Sequence, residues 1–130
     1  MKTLNQLRDE IHANAREKGF YDNPREVGTL LMLIVSELAE ALEADRKGQY
    51  TSFGAYNRAE KELVIEDSFG EIEFATLFHA YIKNTLEDEL ADTIIRVLDL
   101  CGHLNIDIER HVDMKMRYNK LREKLHGKKY

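Results

Sequence analysis

Glu37-Leu38-Ala39-Glu40 and Glu89-Leu90-Ala91-Asp92 each place two carboxylates three residues apart within a segment of helical pattern. Residues at that spacing share one face of a helix, about 5–6 Å apart. Two such helices packed together would gather four carboxylates around one small volume. Like charges at close range repel unless a cation sits among them, and hard divalent cations such as Mg²⁺ prefer carboxylate oxygens. The chemistry expected is a metal site with Glu37, Glu40, Glu89 and Asp92 as ligands. The same spacings also suit solvated faces and intrahelical ion pairs, and 24 acidic residues in a chain of 130 supply them readily.

The surroundings of the first motif weigh toward the metal. In helical projection Leu30, Leu33, Ala41 and Ala44 lie near the azimuth of Glu37. The small alanines let another helix approach that face, and a carboxylate there costs desolvation energy unless it is paired or metal-bound. Glu37 and Glu40 are therefore both expected to point inward. On the later motif Glu89, Asp92, Arg96 and Asp99 share a polar flank. Arg96, one turn beyond Asp92, can pair with that aspartate or meet a phosphate. Asp99 reads equally as a further ligand or as a salt-bridge or helix-packing residue.

A second set of residues suits phosphate. Lys115 and Asn119 are four apart and face one way, and Arg122 extends the stripe three residues on. Lysine offers a point charge, and arginine a planar fork for two phosphate oxygens. Together with Lys120 and Lys124 they also read as a hydrated helix surface. The histidines, His12, His79, His103, His111 and His126, are dispersed without a zinc-type H-E-x-x-H spacing, and no Gly-rich P-loop is present.

Helices are the elements that must position these groups. Leu4, Leu7, Ile11 and Ala15 predict a first helix ending near Gly19. Asn23 reads as a cap with Pro24 at the first position of a second helix running to Lys47 and stopping at Gly48. Its apolar face carries Val27, Leu30, Leu31, Ile34, Leu38 and Leu42. The stretch 48–83 reads as a variable central insertion. It comprises a loop over 48–54, helical character over 57–65 with Leu63-Val64-Ile65 also readable as a strand, a break at 68–70, and a helix over 71–84. A helix over 87–103 follows, with Leu90, Ala91, Ile94, Val97, Leu98 and Cys101 as its apolar side. Asp107 is expected to cap a last helix reaching about Leu125, with a frayed tail from His126.

Composition bounds the rest. One hundred and thirty residues with 43% hydrophobic suit a single folded domain over 1–130. A formal charge of -5 argues against indiscriminate nucleic-acid binding, which phosphate neutralisation drives. The lone Cys101 lies in an apolar run and reads as a buried thiol. No continuous apolar signal region opens the chain, and Leu30–Val35 is too short to span a membrane, so a cytoplasmic protein without membrane association is the default expectation.

Taken together, Ser36–Leu42, Glu87–Leu100, Leu104–Glu109 and His111–Asn119 resemble the MazG-like, all-alpha nucleoside triphosphate pyrophosphohydrolases over roughly half the chain. The resemblance implies an all-α, four-helix-bundle-like core with an additional central segment, assembled as a homodimer or dimer-based tetramer. It implies Mg²⁺ held by Glu37, Glu40, Glu89 and Asp92, with Lys115 and Asn119 contacting nucleotide phosphates. The implied reaction is hydrolysis of a nucleoside or deoxynucleoside triphosphate to monophosphate and pyrophosphate. In that reaction Glu40 is assigned as base, with Glu37 able to exchange roles with it, while Lys115 and a nearby arginine, Arg96 or Arg122, meet the phosphates. Alternatives are hydrolysis of another pyrophosphate-containing metabolite, phosphoribosyl-ATP among them, or a non-enzymatic helical oligomerisation or regulatory module. Tyr50, Phe53, Tyr56, Phe74, Phe78 and Tyr81 are candidates for base contacts, with core packing the plainer role for each.

Overall fold

The computed structural model describes residues 1–65 and 69–129, the side chains of Ile65 and His126 excepted. Six α-helices account for the architecture: α1 (Leu4–Glu17), α2 (Val27–Arg46), α3 (Phe53–Ile65), α4 (Glu71–Tyr81), α5 (Leu86–His103) and α6 (Ile108–Lys120). A 3₁₀ turn, Lys124–Gly127, follows. Among the described residues there is no strand, and no helix is long and apolar enough to cross a membrane. The chain divides into two compact units, one of residues 1–27 and 97–130, the other of residues 28–96.

In the first unit α1 packs on α6. Thr3 opens α1 with a capping box, its hydroxyl accepting from the Gln6 amide while the Gln6 side chain accepts from the Thr3 amide. The helix closes in a Schellman turn, with Phe20 N–H donating to the Ala15 carbonyl and Gly19 N–H to that of Arg16. Gly19 takes φ +84 there, a conformation that costs glycine no Cβ clash. Asp107 caps α6 as its sequence position suggests. Its Oδ1 accepts from the Arg110 amide at 3.1 Å and from Asn5 Nδ2 of α1 at 2.8 Å, and these bonds hold its carboxyl below the usual aspartate range. The helix ends at Lys120, short of the expected Leu125. Leu121 and Arg122 make i→i−3 bonds to Tyr118 and Asn119, which tighten the last turn into the 3₁₀ segment.

Helix α2, which belongs to the second unit from Gly28 on, begins at Val27, three residues later than the Asn23–Pro24 pair suggests. Arg25 instead turns back, donating to the Phe20 carbonyl at 3.2 Å with its guanidinium over the Phe20 ring, and this holds the approach to the helix out of helical conformation. The C-terminus closes by another Schellman turn at Gly48, φ +66, with Gln49 N–H bonded to the Ala44 carbonyl. The insertion is a pair of packed helices, α3 and α4, so Leu63-Val64-Ile65 is helical and no neighbouring helix is lengthened. The break placed at 68–70 falls partly outside the described residues. Helix α4 stops at Tyr81 rather than Asn84, which turns the chain with φ +60.

The N-terminal end of this insertion is stitched to the start of α5. Leu86 N–H donates to the Gln49 carbonyl at 2.9 Å, Thr51 N–H to Glu87 at 2.8 Å, and the Thr51 and Thr85 hydroxyls share a bond of 2.8 Å. Of the aromatics considered for base contacts, Tyr56 is buried, Phe78 and Tyr81 are half-buried, and Tyr50, Phe53 and Phe74 are exposed.

Helix α2 differs from its apolar pattern in which side it buries. Leu30, Glu37, Ala41 and Ala44 are the buried residues, whereas Val27, Leu31, Leu38 and Leu42 are exposed. Helix α5 repeats this only in its first half, where Glu89 is buried and Leu90, Ala91 and Ile94 are exposed; further along, Leu98 and Cys101 of its expected apolar side are buried. The small-residue and acid face turns inward because alanines permit close approach. The larger aliphatic stripe is left outward.

Candidate metal centre

Glu37 lies in the middle of α2, flanked along its buried face by Leu30, Ala41 and Ala44. Glu89 sits in the first turn of α5, where the helix N-terminus favours acidic groups, and Asp92 follows one turn on. Each of these three residues offers one carboxylate oxygen, and the three oxygens lie within 4.8 Å of one another. Glu37 and Glu89 are 6% and 5% exposed, and Asp92 is the most open of the three.

Glu40 differs from expectation. It is exposed, one turn from Glu37 at the edge of the buried face, and stands outside the three-oxygen cluster. Its carboxyl nevertheless acts on that of Glu89 and helps to raise it. Three of the four acids thus converge, and the fourth stands exposed at the edge of the group.

The electrostatics of this group are those of a site short of positive charge. Burial pushes the Glu89 carboxyl up to about 7, and the neighbouring charges of Glu40, Asp88 and Glu37 add to the rise. Asp92 is raised as well, first by burial and then by Asp88 and Glu37, with Arg96 opposing. Arg96, one turn past Asp92, donates its Nε–H to Glu37 Oε1 across to α2. Sequence spacing pointed to Asp92 as its partner on the same helix.

The donor set fits a hard divalent cation. Oxygens about 2.1 Å from an octahedral Mg²⁺ stand about 3 Å apart when adjacent and about 4 Å when opposite. Small side-chain rotations bring three oxygens within 4.8 Å to that spacing. Glu89 supplies an independent sign, since it is a buried carboxylate with no cationic partner among the described residues. A buried group of that kind is normally neutralised or bound to a metal.

Lys115, Asn119 and Arg122 belong to the other unit, where Lys115 and Arg122 flank Tyr118. Lys115 Nζ lies 5.3 Å and Arg122 Cζ 5.8 Å from the Tyr118 ring centroid. Asn119 is half-buried, and its Oδ1 is enclosed without a hydrogen-bond partner among the described residues.

Asp99 resolves to a packing role. It accepts from the Tyr21 hydroxyl at 2.7 Å and pairs with His12 Nδ1 at 2.8 Å, while the His103 ring stacks on Tyr21 at 4.9 Å. No sequence signal joined these four residues, which come from α1, its following turn and α5. Burial and the adjacent Asp99 charge drive the Tyr21 hydroxyl above its ordinary range. Cys101 is buried as expected, and burial raises its thiol.

Protein-family models, characterised proteins and solved structures give no match to this chain. The functional reading rests on the geometry and the residue pattern.

Proposed function

We propose that the protein is a Mg²⁺-dependent nucleotide pyrophosphohydrolase of the MazG-like kind, cleaving a nucleoside or deoxynucleoside triphosphate to monophosphate and pyrophosphate. The observation that carries the reading is the convergence of Glu37, Glu89 and Asp92, with Glu89 buried and lacking a cation. Bound there, Mg²⁺ would neutralise phosphate charge and polarise the reacting phosphoryl group. Glu37, Glu89 and Asp92 would hold the ion. Glu40, exposed and acting on Glu89, orients the attacking water and takes its proton as the new bond to the α-phosphorus forms. The bond to the bridging oxygen breaks, and pyrophosphate leaves with that electron pair. Arg96 meets the charge developing on the phosphates, Lys115 and Asn119 are assigned phosphate contacts on the family pattern, and Arg122 extends their stripe.

The protein works as a homodimer or dimer-based tetramer. Leu31, Val35, Leu38 and Leu42, spaced four, three and four residues apart, form an exposed aliphatic stripe along α2. A stripe of that period suits a second helix. The same stripe is the observation that favours a non-enzymatic assembly module.

The experiment that decides between them is a product-resolved screen of canonical and modified triphosphates with and without Mg²⁺. Monophosphate and pyrophosphate as co-products support the proposal. Stepwise loss of terminal phosphates, or no Mg²⁺-dependent turnover of any pyrophosphate-containing compound, would sink it.

A further inference from the structure

Arg96 has an unusual posture for a paired arginine. Its Nε–H is the one N–H group with a protein acceptor among the described residues, and that acceptor is Glu37 Oε1. Asp92, one turn back on the same helix, forms no ion pair with it there, although its charge is felt. The two partners also differ in enclosure: the Glu37 side chain is 8% exposed and that of Arg96 38%. Glu37 is thus the fixed member, and the guanidinium is held by its Nε edge with the Nη groups left over. Those terminal N–H groups form the planar fork that matches two phosphate oxygens.

We propose that Glu37 is shared, one oxygen serving the cation and the other holding Arg96 so that its Nη fork takes phosphate oxygens of the polyphosphate bound at that cation. The inference rests on the metal reading above and adds to it a positioning role for Glu37 and a clamp role for Arg96. A carboxylate has enough lone pairs to serve both partners at once. Holding the guanidinium beforehand lowers the ordering cost of a flexible side chain on binding. It also puts one positive charge beside the acids without using a cation position, which suits a site with more carboxylates than one divalent ion neutralises.

The test uses the whole chain, with Mn²⁺ binding followed by electron paramagnetic resonance and Mg²⁺-dependent binding of inorganic pyrophosphate followed by calorimetry. Arg96→Lys keeps the charge and loses the fork. It is expected to weaken pyrophosphate binding about tenfold or more while Mn²⁺ binding alone stays within about twofold. In the wild-type protein, the Arg96 Nε–H resonance, assigned by its loss in Arg96→Lys, is expected to persist on Mg²⁺ addition. The Nη resonances should move only when pyrophosphate follows. Unchanged pyrophosphate affinity in Arg96→Lys overturns the clamp. Loss of the Nε–H resonance on Mg²⁺ alone also overturns it, because Arg96 would then be a counter-ion that the metal displaces. Failure of the wild-type protein to bind Mn²⁺ at all is a different result and brings down the metal reading itself.

Discussion

The Glu40 carboxyl, exposed on α2, acts on the Glu89 carboxyl, buried on α5, and helps to raise it. Burial, with the Glu40 charge adding to it, holds a proton on Glu89 up to about pH 7. A divalent cation takes the deprotonated carboxylate, so its binding must expel that proton. At pH 6 we expect Mg²⁺ binding to release about one proton, falling toward zero above pH 8. Calorimetry in two buffers of different ionisation enthalpy measures this directly. Equal heats in both buffers at pH 6 would contradict the site.

The same group sets a pH dependence of stability in the absence of metal. The carboxyl of Glu89 is raised in the folded state from 4.5 to about 7. The folded protein therefore binds more protons than the unfolded chain between those values. Its contribution is fully present below pH 4.5 and is lost as pH rises through 7. Glu89→Gln removes the titration and should flatten this part of the profile. The wild type should lose roughly 5 °C of Tm relative to that variant between pH 5 and pH 8. Parallel Tm profiles for the two proteins would show that Glu89 does not titrate in this window.

Asp92 is the most open of the three converging acids, and the one whose change disturbs packing least. Asp92→Asn keeps the shape and removes a ligand charge. Mg²⁺-dependent turnover is expected to drop by about 10²-fold or more, with the helical circular dichroism and cooperative melting retained. Turnover within a few-fold of wild type would remove Asp92 from the machinery.

Gly102 shows a constraint of another kind. It lies in the last turn of α5, and a Cβ there would sit 2.5 Å from His12 Cβ and 2.8 Å from His12 Cγ. His12 cannot yield freely, because Asp99 holds its ring at Nδ1. Gly102→Ala is expected to destabilise the protein by about 1–3 kcal/mol, despite alanine's better helix propensity. Denaturant titration checks the sign, and a stabilised variant would show that α1 and α5 are free to part at this point.

How much of this was legible in the sequence follows from the range of the forces involved. Gly19, Gly48 and Asp107 were readable as helix ends because capping acts within a few residues. The inward placement of Glu37 followed from its alanine neighbours, and the same argument failed for Glu40 at the edge of that face. Pro24 carried a helix-start signal that Arg25 overrode through contacts with Phe20. The choice of Glu37 as partner for Arg96, and the joining of Tyr21 and His12 at Asp99, depend on which helices meet. Intrahelical spacing cannot encode that. The strong periodicity of the leucine stripe of α2 reports only that a face is apolar, not what it meets.

That stripe yields the last expectation. Leu31, Val35, Leu38 and Leu42 are each 47–50% exposed in the isolated chain, whereas the opposite face of α2 is already filled. An aliphatic row of three turns left in water loses the burial energy of four side chains, and pairing it with a second copy recovers much of that. The charged double substitution Leu31→Lys with Leu38→Lys puts repulsion into the centre of such a pairing without touching the buried residues. Light scattering coupled to size exclusion should report a dimer or tetramer for the wild type and a monomer for the variant, with helical content retained. A wild type that stays monomeric at tens of micromolar, or a variant that keeps its assembly, would show that this face is not the interface.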